Sequence, residues 1–331
     1  MKKLLFVYLL LISLFVVYVY NHQTENAVTR EWSESDLKGS MEETYVMVTF
    51  QVGIDYWKRA LKGFEDAAEA LNVSVEYRGA TQYDVNEEIT VLEQVIARNP
   101  AGIAVSTMDP EKLNPVIDKA VDAGIPVVLF DANAPDSKAY SFLGTDNYKA
   151  GVEAAHKMAE LLNEKGRVGV ITQPNQLNHQ ERTRGFKDTI FMEYPDMEVV
   201  TVKDGRGDPV LSRRAAEEMM AEHSNLEGIF ATEANGGVGV GQAVVANDFQ
   251  ESIKIISFDT DKGTLDMIED GTISATIAQG TWEMGYWSLQ FLFHLNHDIV
   301  EQVDKRSPLP KSVDTGVTIV TKENVDSYYP Q

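Results

Sequence analysis

From residue 45 to near the end of the chain, short apolar or β-branched runs alternate with amphipathic segments of helical period. This alternation is typical of βαβ units and predicts parallel sheets covered by helices. The predicted strands fall into two series, 45–50, 73–77, 102–105, 127–130 and 142–144, then 168–172, 198–202, 228–231, 254–258 and 275–278. The helices predicted between them include 56–71, 86–98, 113–123, 149–163 and 211–223. Two such series predict two similar doubly wound α/β lobes in tandem.

The N-terminal segment, residues 1–22, has the pattern of a membrane anchor. Lys2 and Lys3 precede an apolar run from Leu4 to Tyr20, and no small-residue cleavage site follows this run. We therefore predict an uncleaved transmembrane helix, with a cleaved signal peptide as the alternative. The basic N-terminus predicts that the rest of the chain is extracytoplasmic. Residues 23–44 are polar and lack apolar periodicity, which predicts a flexible linker.

Composition excludes several classes of function. The 331 residues are enough for two domains, and 51 acidic against 29 basic residues leave a formal net charge of −22. That charge argues against nucleic acid as a partner, because phosphates need clustered lysine and arginine. The chain has no cysteine, which excludes disulfides, a thiolate nucleophile, zinc–thiolate sites and a lipid-modified cysteine within it.

Polar and aromatic side chains are concentrated just after the predicted strands. In open parallel sheets, ligands bind beyond the carboxyl ends of the strands. Aromatic faces pack on the C–H face of a sugar ring, while carboxylates, amides and a guanidinium bind hydroxyl groups. For each residue the alternative is a helix cap or ordinary loop polarity. The candidate ligand-binding residues are Tyr56, Trp57, Ser106, Asp131, Asn133, Arg182, Glu233, Asn235, Asp259 and Gln279, with Trp282 as a further aromatic.

Six sequence signatures carry a resemblance to a known family. They are the runs 127–131 (VVLFD), 144–147 (GTDN), 182–186 (RTRGF), 229–231 (IFA), 255–259 (IISFD) and 271–279 (GTISATIAQ). With these signatures the chain resembles the ribose-type branch of the type I periplasmic sugar-binding proteins, from Tyr45 nearly to the C-terminus. The resemblance implies two Rossmann-like lobes joined by a hinge that the chain crosses three times.

The resemblance also implies how the chain is divided between the lobes. The crossings are expected near Asp146, Gln279 and Ser312. The N-terminal lobe would combine 45–146 with 280–312, and the C-terminal lobe would combine 147–279 with 313–331. Closure about such a hinge would bury the ligand between the lobes and present a new surface to a partner.

Residue roles follow from the same resemblance. Asp131 and Asp259 would each accept hydrogen bonds from sugar hydroxyls, one from each lobe. Arg182 would donate to ring or hydroxyl oxygens, and Gln279 would contact the ligand near a crossing. Tyr56 and Trp57 lie where the family places two stacking aromatics.

Three positions depart from the family pattern. Ser106 and Glu233 each stand where the family has an asparagine, and Ala132 replaces the arginine that commonly follows the first aspartate. A lost arginine and a gained carboxylate change the electrostatics of the pocket. We therefore expect a ligand other than ribose: another pentose, a hexose, or a more hydroxylated or partly cationic compound.

Other motifs are weaker. The glycine-rich run 236–241 lacks the residues of a nucleotide-binding loop and predicts a helix packed closely on the sheet. His294 and His297 lack further ligands at metal spacing, which favours a helix-end pair. Asp259 and Asp261 could resemble catalytic carboxylates, but no nucleophile or triad accompanies them. We therefore predict no metal, no cofactor and no enzyme activity.

The predicted function is an extracytoplasmic solute-binding protein that presents a sugar to an ABC importer. The alternative is a membrane-anchored sensing ectodomain that signals to a sensor histidine kinase. The partners would be a small sugar, an ABC permease or a sensor kinase, and the membrane through the N-terminal helix. A soluble repressor with this fold would need an N-terminal helix-turn-helix, where this chain has an apolar segment.

Overall fold

The computed structural model describes Phe15, residues 38–297 and residues 309–329. The predicted anchor at 1–22 lies outside the described residues except for Phe15, as does most of the predicted linker. Among the described residues, no helix combines the length and the apolar character that crossing a membrane requires. Residues 1–40 form a separate unit, of which Phe15 is helical and 38–40 are irregular. The strands and helices below belong to the compact unit that begins at Met41.

The first sheet has six strands, all parallel, in the order β11-β5-β4-β3-β1-β2. They are β1 (Thr44–Thr49), β2 (Ser74–Gly79), β3 (Gly102–Val105), β4 (Val127–Phe130), β5 (Phe142–Gly144) and β11 (Ser312–Asp314). The helices that accompany it are α1 (Trp57–Leu71), α2 (Val85–Ala97), α3 (Pro110–Asp122) and α9 (Thr281–Asn296). Every residue of β3 and β4 is buried, as expected for central strands covered on both faces.

The second sheet repeats this arrangement in the order β12-β10-β9-β8-β6-β7. Its strands are β6 (Lys165–Thr172), β7 (Asp196–Asp204), β8 (Leu226–Ala231), β9 (Lys254–Phe258), β10 (Ala275–Gln279) and β12 (Val317–Val320). Its helices are α4 (Asn147–Leu162), α5 (Leu177–Glu193), α6 (Pro209–Glu222), α7 (Ala234–Ala246) and α8 (Lys262–Glu269), with a 3₁₀ turn at Val325–Tyr328. Only β12 runs antiparallel to its neighbour in this sheet. The two sheets therefore share one strand order and differ in the direction of this edge strand, because β11 of the first sheet is parallel to β5.

The chain passes between the two sheets three times among the described residues. It leaves the first sheet after β5, returns after β10 through α9, and leaves again between β11 and β12. These passages contact one another, because Thr315 N donates to Gly144 O at 2.9 Å and Gly280 N donates to Gly316 O at 3.1 Å. The precise division of the chain between the lobes stays a prediction.

The strand prediction was accurate in the interior of both sheets and incomplete at their edges. The predicted 102–105, 127–130, 142–144 and 254–258 match the observed strands, and the others differ by one to three residues at their ends. Helix α3 begins at Pro110, three residues before the predicted start, because Asp109 caps it and proline is favoured in a first turn. The edge strands β11 and β12 were not predicted.

Two glycines fix how α5 packs on α4. A Cβ atom at Gly151 would lie 2.1 Å from the carbonyl oxygen of Arg182, and one at Gly185 would lie 2.0 Å from that of Tyr148. No side chain fits between backbones this close, so glycine is required at both positions. Since Arg182 lies at this contact, the close approach of the helices also places its side chain.

Candidate functional site

Two aspartates occupy equivalent places in the two lobes. Asp131 follows β4 and Asp259 follows β9, and these two strands hold the same position in their sheets. Both have left-handed backbones, with φ of 61° and 64°. Each backbone N–H donates to the next strand, from Asp131 to Leu143 O at 3.1 Å and from Asp259 to Ile277 O at 2.8 Å. A conformation that costs a non-glycine residue about 1–3 kcal/mol, kept twice at matching places, is typical of a functional site.

A chain of hydrogen bonds connects these aspartates across the lobes. The Tyr56 hydroxyl donates to Asp131 Oδ1 at 2.5 Å, and Ser106 Oγ donates to Asp131 Oδ2 at 3.3 Å. Gln279 Nε2 donates to Tyr56 Oη at 3.0 Å and to Asp259 Oδ1 at 2.7 Å. The side chains predicted from separate strand ends therefore form one connected cluster.

Arg182 is held rigidly beside this cluster. Its side chain is buried, with 3% of the residue exposed, and its guanidinium lies 3.6 Å from the centroid of the Phe258 ring. Nε donates to Asn147 Oδ1 at 2.8 Å, Nη1 to Thr232 O at 2.9 Å and Nη2 to Gln279 Oε1 at 3.2 Å. These described partners occupy three of its five N–H donors, which leaves two for a ligand.

Burial dominates the titration of the charged groups. It raises the pKa of Asp131, and it raises the pKa of Asp259 to about 6 despite the opposing charge of Arg182. Burial likewise lowers the pKa of Arg182, although neighbouring Asp259 and Asp131 oppose that shift. Both aspartates keep part of their surface accessible, so they are not sealed in a core. Hydroxyl donors that bond to these carboxylates would restore interactions that the carboxylates lost on burial.

Glu233 adds a third carboxyl group to the same region. It caps α7, since Oε2 accepts from Asn235 N at 2.9 Å, and its negative charge acts on Arg182. Burial raises the pKa of Glu233 to about 7. The three carboxyl groups therefore share one buried guanidinium, which favours a neutral hydroxylated ligand over an anionic one.

Three other predicted residues lie outside the hydrogen-bonded cluster. Trp57 is 1% exposed and packs in the core of the first lobe, where its ring contacts Tyr56 edge-on at 4.8 Å between centroids. Asn235 is exposed, and its Nδ2 donates to Gly207 O at 3.1 Å. Asn133 is partly exposed and accepts from Thr107 through its backbone oxygen. Direct ligand contacts by these three residues stay predictions.

The further aromatic Trp282 lies on α9 against α1. Its ring stacks on Tyr286 at 4.7 Å, and Nε1 donates to Asp66 Oδ2 at 2.9 Å. The indole N–H and one face of the Trp282 ring are therefore engaged within the first lobe, where they support packing between these two helices.

Several supporting residues were not predicted. Thr145, Asn147, Thr232 and Phe258 orient Arg182 or Gln279 through the contacts described here. Thr145 and Asn147 lie in the recognised run 144–147, and Phe258 immediately precedes Asp259, so adjacency to a signature was the available signal.

The weaker motifs have structural roles. The glycine run 236–241 lies within α7, where a Cβ at Gly237 would lie 1.8 Å from Ser257 Oγ of β9, which confirms the predicted close packing of a helix on the sheet. His297 Nε2 lies 2.7 Å from Glu43 Oε2, and His294 Nδ1 lies 2.5 Å from Gln290 O. In the described part of the chain, no group of three or more potential histidine or carboxylate ligands could hold a metal.

Glu88, in the first turn of α2, forms a hydrogen bond with the backbone of the loop that carries Ser106. It is fully buried, and Oε2 accepts from Met108 N at 3.1 Å. Among the described residues its Oε1 has no hydrogen-bond partner. Burial raises the pKa of Glu88 to about 7, so near neutral pH this carboxyl group is partly protonated.

Glu87 and Glu88 should make opposite contributions to the pH dependence of stability. The raised pKa of Glu88 means that the folded state retains a proton between about pH 4.5 and about pH 7, so its stabilising contribution falls as pH rises through that window. Hydrogen bonds from the backbone and side chain of Thr81 lower the pKa of Glu87, so its contribution is present above the unfolded pKa and is lost as pH falls. We expect the Tm of Glu88→Gln relative to the unsubstituted protein to improve as pH rises from about 5 to about 8, whereas the relative Tm of Glu87→Gln stays nearly constant in this range and changes only as pH falls below about 4.5. Thermal melts across this range check the prediction, and parallel curves for the two variants would contradict it.

Comparison with known proteins places the fold and the site in context. A family model described as "Periplasmic binding protein domain" matches residues 45–296. A sugar ABC transporter (sugar-binding protein) from Bacillus halodurans is 66% identical, covers 87% of this chain and 100% of its own, and superposes with a TM-score of 0.85. AraP, an arabinose binding protein from Geobacillus stearothermophilus, is 63% identical over 87% of this chain and 99% of its own, with a TM-score of 0.85. The XylFII–LytSN complex contains a chain 25% identical over 85% of this one and 98% of its own, with a TM-score of 0.71.

Proposed function

This chain belongs to the periplasmic binding protein family as a non-enzymatic, sugar-binding member, and we propose that its ligand is arabinose, captured outside the cell for an ABC importer. The observation that carries the proposal is the pair of equivalent aspartates, Asp131 and Asp259, presented by opposite lobes beside Arg182. The 63% identity to an arabinose binding protein supports the choice of sugar.

The chemistry of the cluster suits a neutral pentose. Each sugar hydroxyl donates one hydrogen bond and accepts others, so it can bridge a carboxylate and a guanidinium at once. Such charge-assisted bonds are about twice as strong as neutral ones. The partly exposed ring of Tyr56 supplies apolar surface for the C–H groups of the sugar. Because the carboxyl groups outnumber the guanidinium, sugar acids should bind much more weakly than arabinose.

The placement of the aspartates on different lobes connects binding to closure. A ligand that bonds to both Asp131 and Asp259 stabilises the closed arrangement more than any open one, and so shifts the population toward it. The closed form would present a composite surface, with contributions from both lobes, to a permease. The B. halodurans relative, described as a sugar ABC transporter component, supports this partner.

A second candidate partner is a membrane receptor that reads the closed state. The XylFII molecule, whose fold this chain shares, was solved in complex with LytSN. The predicted N-terminal anchor would keep a sensing domain beside such a receptor. Recovering the full-length chain from membranes and identifying the co-purifying membrane protein separates the two: an ATPase-linked permease supports import, and a histidine kinase supports sensing.

Arabinose binding is tested by thermal shift and calorimetry on the full-length chain. We expect Tm to rise with arabinose concentration, as ligand binding to the folded state requires. Both enantiomers should be compared with ribose, xylose, galactose, xylitol and galacturonate. A stronger response to another neutral sugar would overturn arabinose but keep a sugar ligand, and no response to any would overturn the sugar proposal.

A further inference from the structure

A buried network of hydroxyl groups and one imidazole lies beside Arg182 in the second lobe. Its members are Thr172 at the end of β6, Thr232 directly after β8, and His179 and Thr183 on α5. His179, Thr172 and Thr232 are only 5%, 4% and 0% exposed. Burying such polar groups is costly unless each of them is hydrogen-bonded, so the bonds within this network define what it does.

The hydroxyl protons of this network are accounted for by its geometry. Thr183 Oγ1 donates to Thr172 Oγ1 at 3.0 Å, and Thr232 Oγ1 donates to the same oxygen at 3.1 Å. Thr172 Oγ1 in turn donates to His179 O at 3.4 Å. A hydroxyl group has one proton, so Thr232 has none left for the Nδ1 atom of His179, which lies 3.0 Å from its oxygen. The hydrogen bond therefore runs from His179 Nδ1–H to Thr232 Oγ1.

The imidazole of His179 is neutral in this environment. Burial lowers the pKa of His179 to about 3, the positive charge of Arg182 lowers it as well, and a hydrogen bond to Thr232 opposes the shift in part. A neutral imidazole has a single N–H, which the network requires on Nδ1. The ring therefore supplies a directional donor without adding a second positive charge beside Arg182.

His179 and Arg182 hold the same threonine from one face of α5. Residues three apart are neighbours on a helix surface. His179 donates to the Thr232 hydroxyl, while Arg182 Nη1 donates to the Thr232 carbonyl oxygen at 2.9 Å. The backbone of Thr232 is also tied to β6, because its N–H donates to Ile171 O at 2.9 Å. With its side chain and its backbone both held, Thr232 presents its carbonyl oxygen to the guanidinium in one direction.

We propose that His179 is a positioning residue that acts through Thr232 to fix the orientation of the Arg182 guanidinium for the sugar. This inference rests on the proposed sugar-binding function, and His179 itself makes no bond to the ligand. A guanidinium held in one orientation loses less conformational entropy when it bonds to hydroxyl groups. Thr232 also immediately precedes Glu233, so the same bond fixes the start of the segment that carries the third carboxyl group.

The tautomer of His179 provides the first test. Heteronuclear NMR of the full-length chain with labelled histidine distinguishes a proton on Nδ1 from one on Nε2 and from the imidazolium form. We expect one of the six histidines to be neutral, protonated on Nδ1 and without titration between about pH 5 and about pH 8. Its signals should be absent from His179→Asn. A proton on Nε2 would overturn the proposal, because Nδ1 could then only accept.

Amide replacements of His179 provide the second test. The Nδ2 group of asparagine can occupy the place of the imidazole Nδ1, whereas the Nε2 group of glutamine reaches the place of the imidazole Nε2. His179→Leu and His179→Gln should each weaken arabinose binding about ten-fold, the loss expected for one hydrogen bond, and His179→Asn should restore most of it. Calorimetry measures these affinities. Full affinity in His179→Leu, or no difference between the leucine and asparagine variants, would contradict the proposal.

Thr232→Val removes the same bond from its other end. It keeps the carbonyl oxygen that accepts from Arg182 and nearly the volume of the side chain. We expect it to lose about ten-fold in affinity alone, and still about ten-fold instead of about a hundred-fold when combined with His179→Leu. Additive losses would count against a shared bond. Thr232→Val also provides the test if thermal melts show that His179→Leu does not fold.

His156→Leu is the control. His156 lies on α4 in the same lobe, and its Nδ1 is 2.8 Å from Tyr194 Oη, so the variant loses an imidazole–hydroxyl bond away from Arg182. Its arabinose affinity should equal that of the unsubstituted chain. A ten-fold loss here as well would assign the effect of His179→Leu to general weakening of the lobe and would overturn the proposal.

Guanidinium NMR reports on Arg182 without any sugar. A guanidinium held by fixed partners gives separate Nη resonances, whereas a rotating one gives averaged resonances. We expect separate Arg182 resonances, identified by their loss in Arg182→Met, in the unsubstituted chain and in His179→Asn, and averaged ones in His179→Leu. If these signals respond but arabinose does not bind to the unsubstituted chain, the arabinose proposal fails and the positioning role stands. If arabinose binds and the signals are the same in all variants, the positioning role fails.

Discussion

Replacing Arg182 with methionine is expected to abolish measurable arabinose binding and to lower the free energy of unfolding by roughly 3–5 kcal/mol, the usual cost of removing one partner from a buried charge network. The methionine keeps apolar contact with Phe258 but removes the only guanidinium that the described structure places between Asp131 and Asp259. It also leaves Thr232 O and Asn147 Oδ1 without the donor that each has in the folded protein. Denaturant unfolding measures the loss of stability, and calorimetry measures the loss of binding.

Arg184→Met is the matched control for this variant. Arg184 lies two residues along the same helix, but its side chain is 58% exposed, pairs with Glu181 and lies over the ring of Tyr148. Exposed ion pairs of this kind contribute about 0–1 kcal/mol. We expect its stability and arabinose affinity to remain close to those of the unsubstituted chain. Equal losses in both variants would mean that helix α5, and not the buried guanidinium, is responsible.

Replacing Asp131 or Asp259 with asparagine is expected to weaken arabinose binding by about 2–3 kcal/mol each, as for hydrogen bonds to charged groups. Asparagine keeps the shape of the side chain and tolerates the left-handed backbone at both positions. Burial raises the pKa of each carboxyl group, so the ionised form is disfavoured in the folded protein, and a neutral amide should not lower Tm. Binding and stability should therefore respond differently, which calorimetry and thermal melting establish together.

The same reasoning predicts how binding depends on pH. A sugar hydroxyl donates to the ionised carboxylate, so affinity should fall as pH decreases below about 6, where Asp259 of the ligand-free protein gains a proton. Asp259→Asn should remove that part of the pH dependence. Asp261→Asn is the control, because Asp261 caps α8 through Gly263 N and Thr264 N, and asparagine is also a good N-cap. Loss of affinity in Asp261→Asn but not in Asp259→Asn would contradict the prediction, because the binding carboxylate would then be Asp261 and not Asp259.

The agreement between predicted and observed elements has a local cause. Strands such as β3, β4 and β9 are largely buried runs followed by a polar residue, and burial on both faces of a parallel sheet favours a nearly continuous apolar stretch. In the short edge strands β11 and β12 every residue except Val320 is exposed or half-buried, so no buried run marks them in the sequence and they are recognised by their pairing with β5 and β10.

Most residues of the site could be predicted from the sequence, but the hydrogen bonds between them could not. The rule that ligands bind at the carboxyl ends of parallel strands selected Tyr56, Ser106, Asp131, Asp259 and Gln279, and the structure joins them by hydrogen bonds. The same rule also selected residues that the fold uses otherwise. Trp57 begins α1 with its ring turned into the core, a consequence of helix phase and packing against Phe130 that adjacency to Tyr56 does not reveal.

The sequence alone determined the two-lobed architecture, because the alternation of buried strands and amphipathic helices is a property of neighbouring residues and repeats twice along the chain. It also predicted that carboxylates, an arginine and Tyr56 would lie together beyond the strand ends. Only the tertiary structure decided how those groups share their hydrogen bonds. The amide of Gln279 is satisfied by Tyr56 and Thr145, which lie far from it in sequence, as well as by Asp259 and Arg182. Hydrogen bonds depend on distances of a few tenths of an ångström between such residues, and those distances exist only once both sheets and the hinge between them have formed.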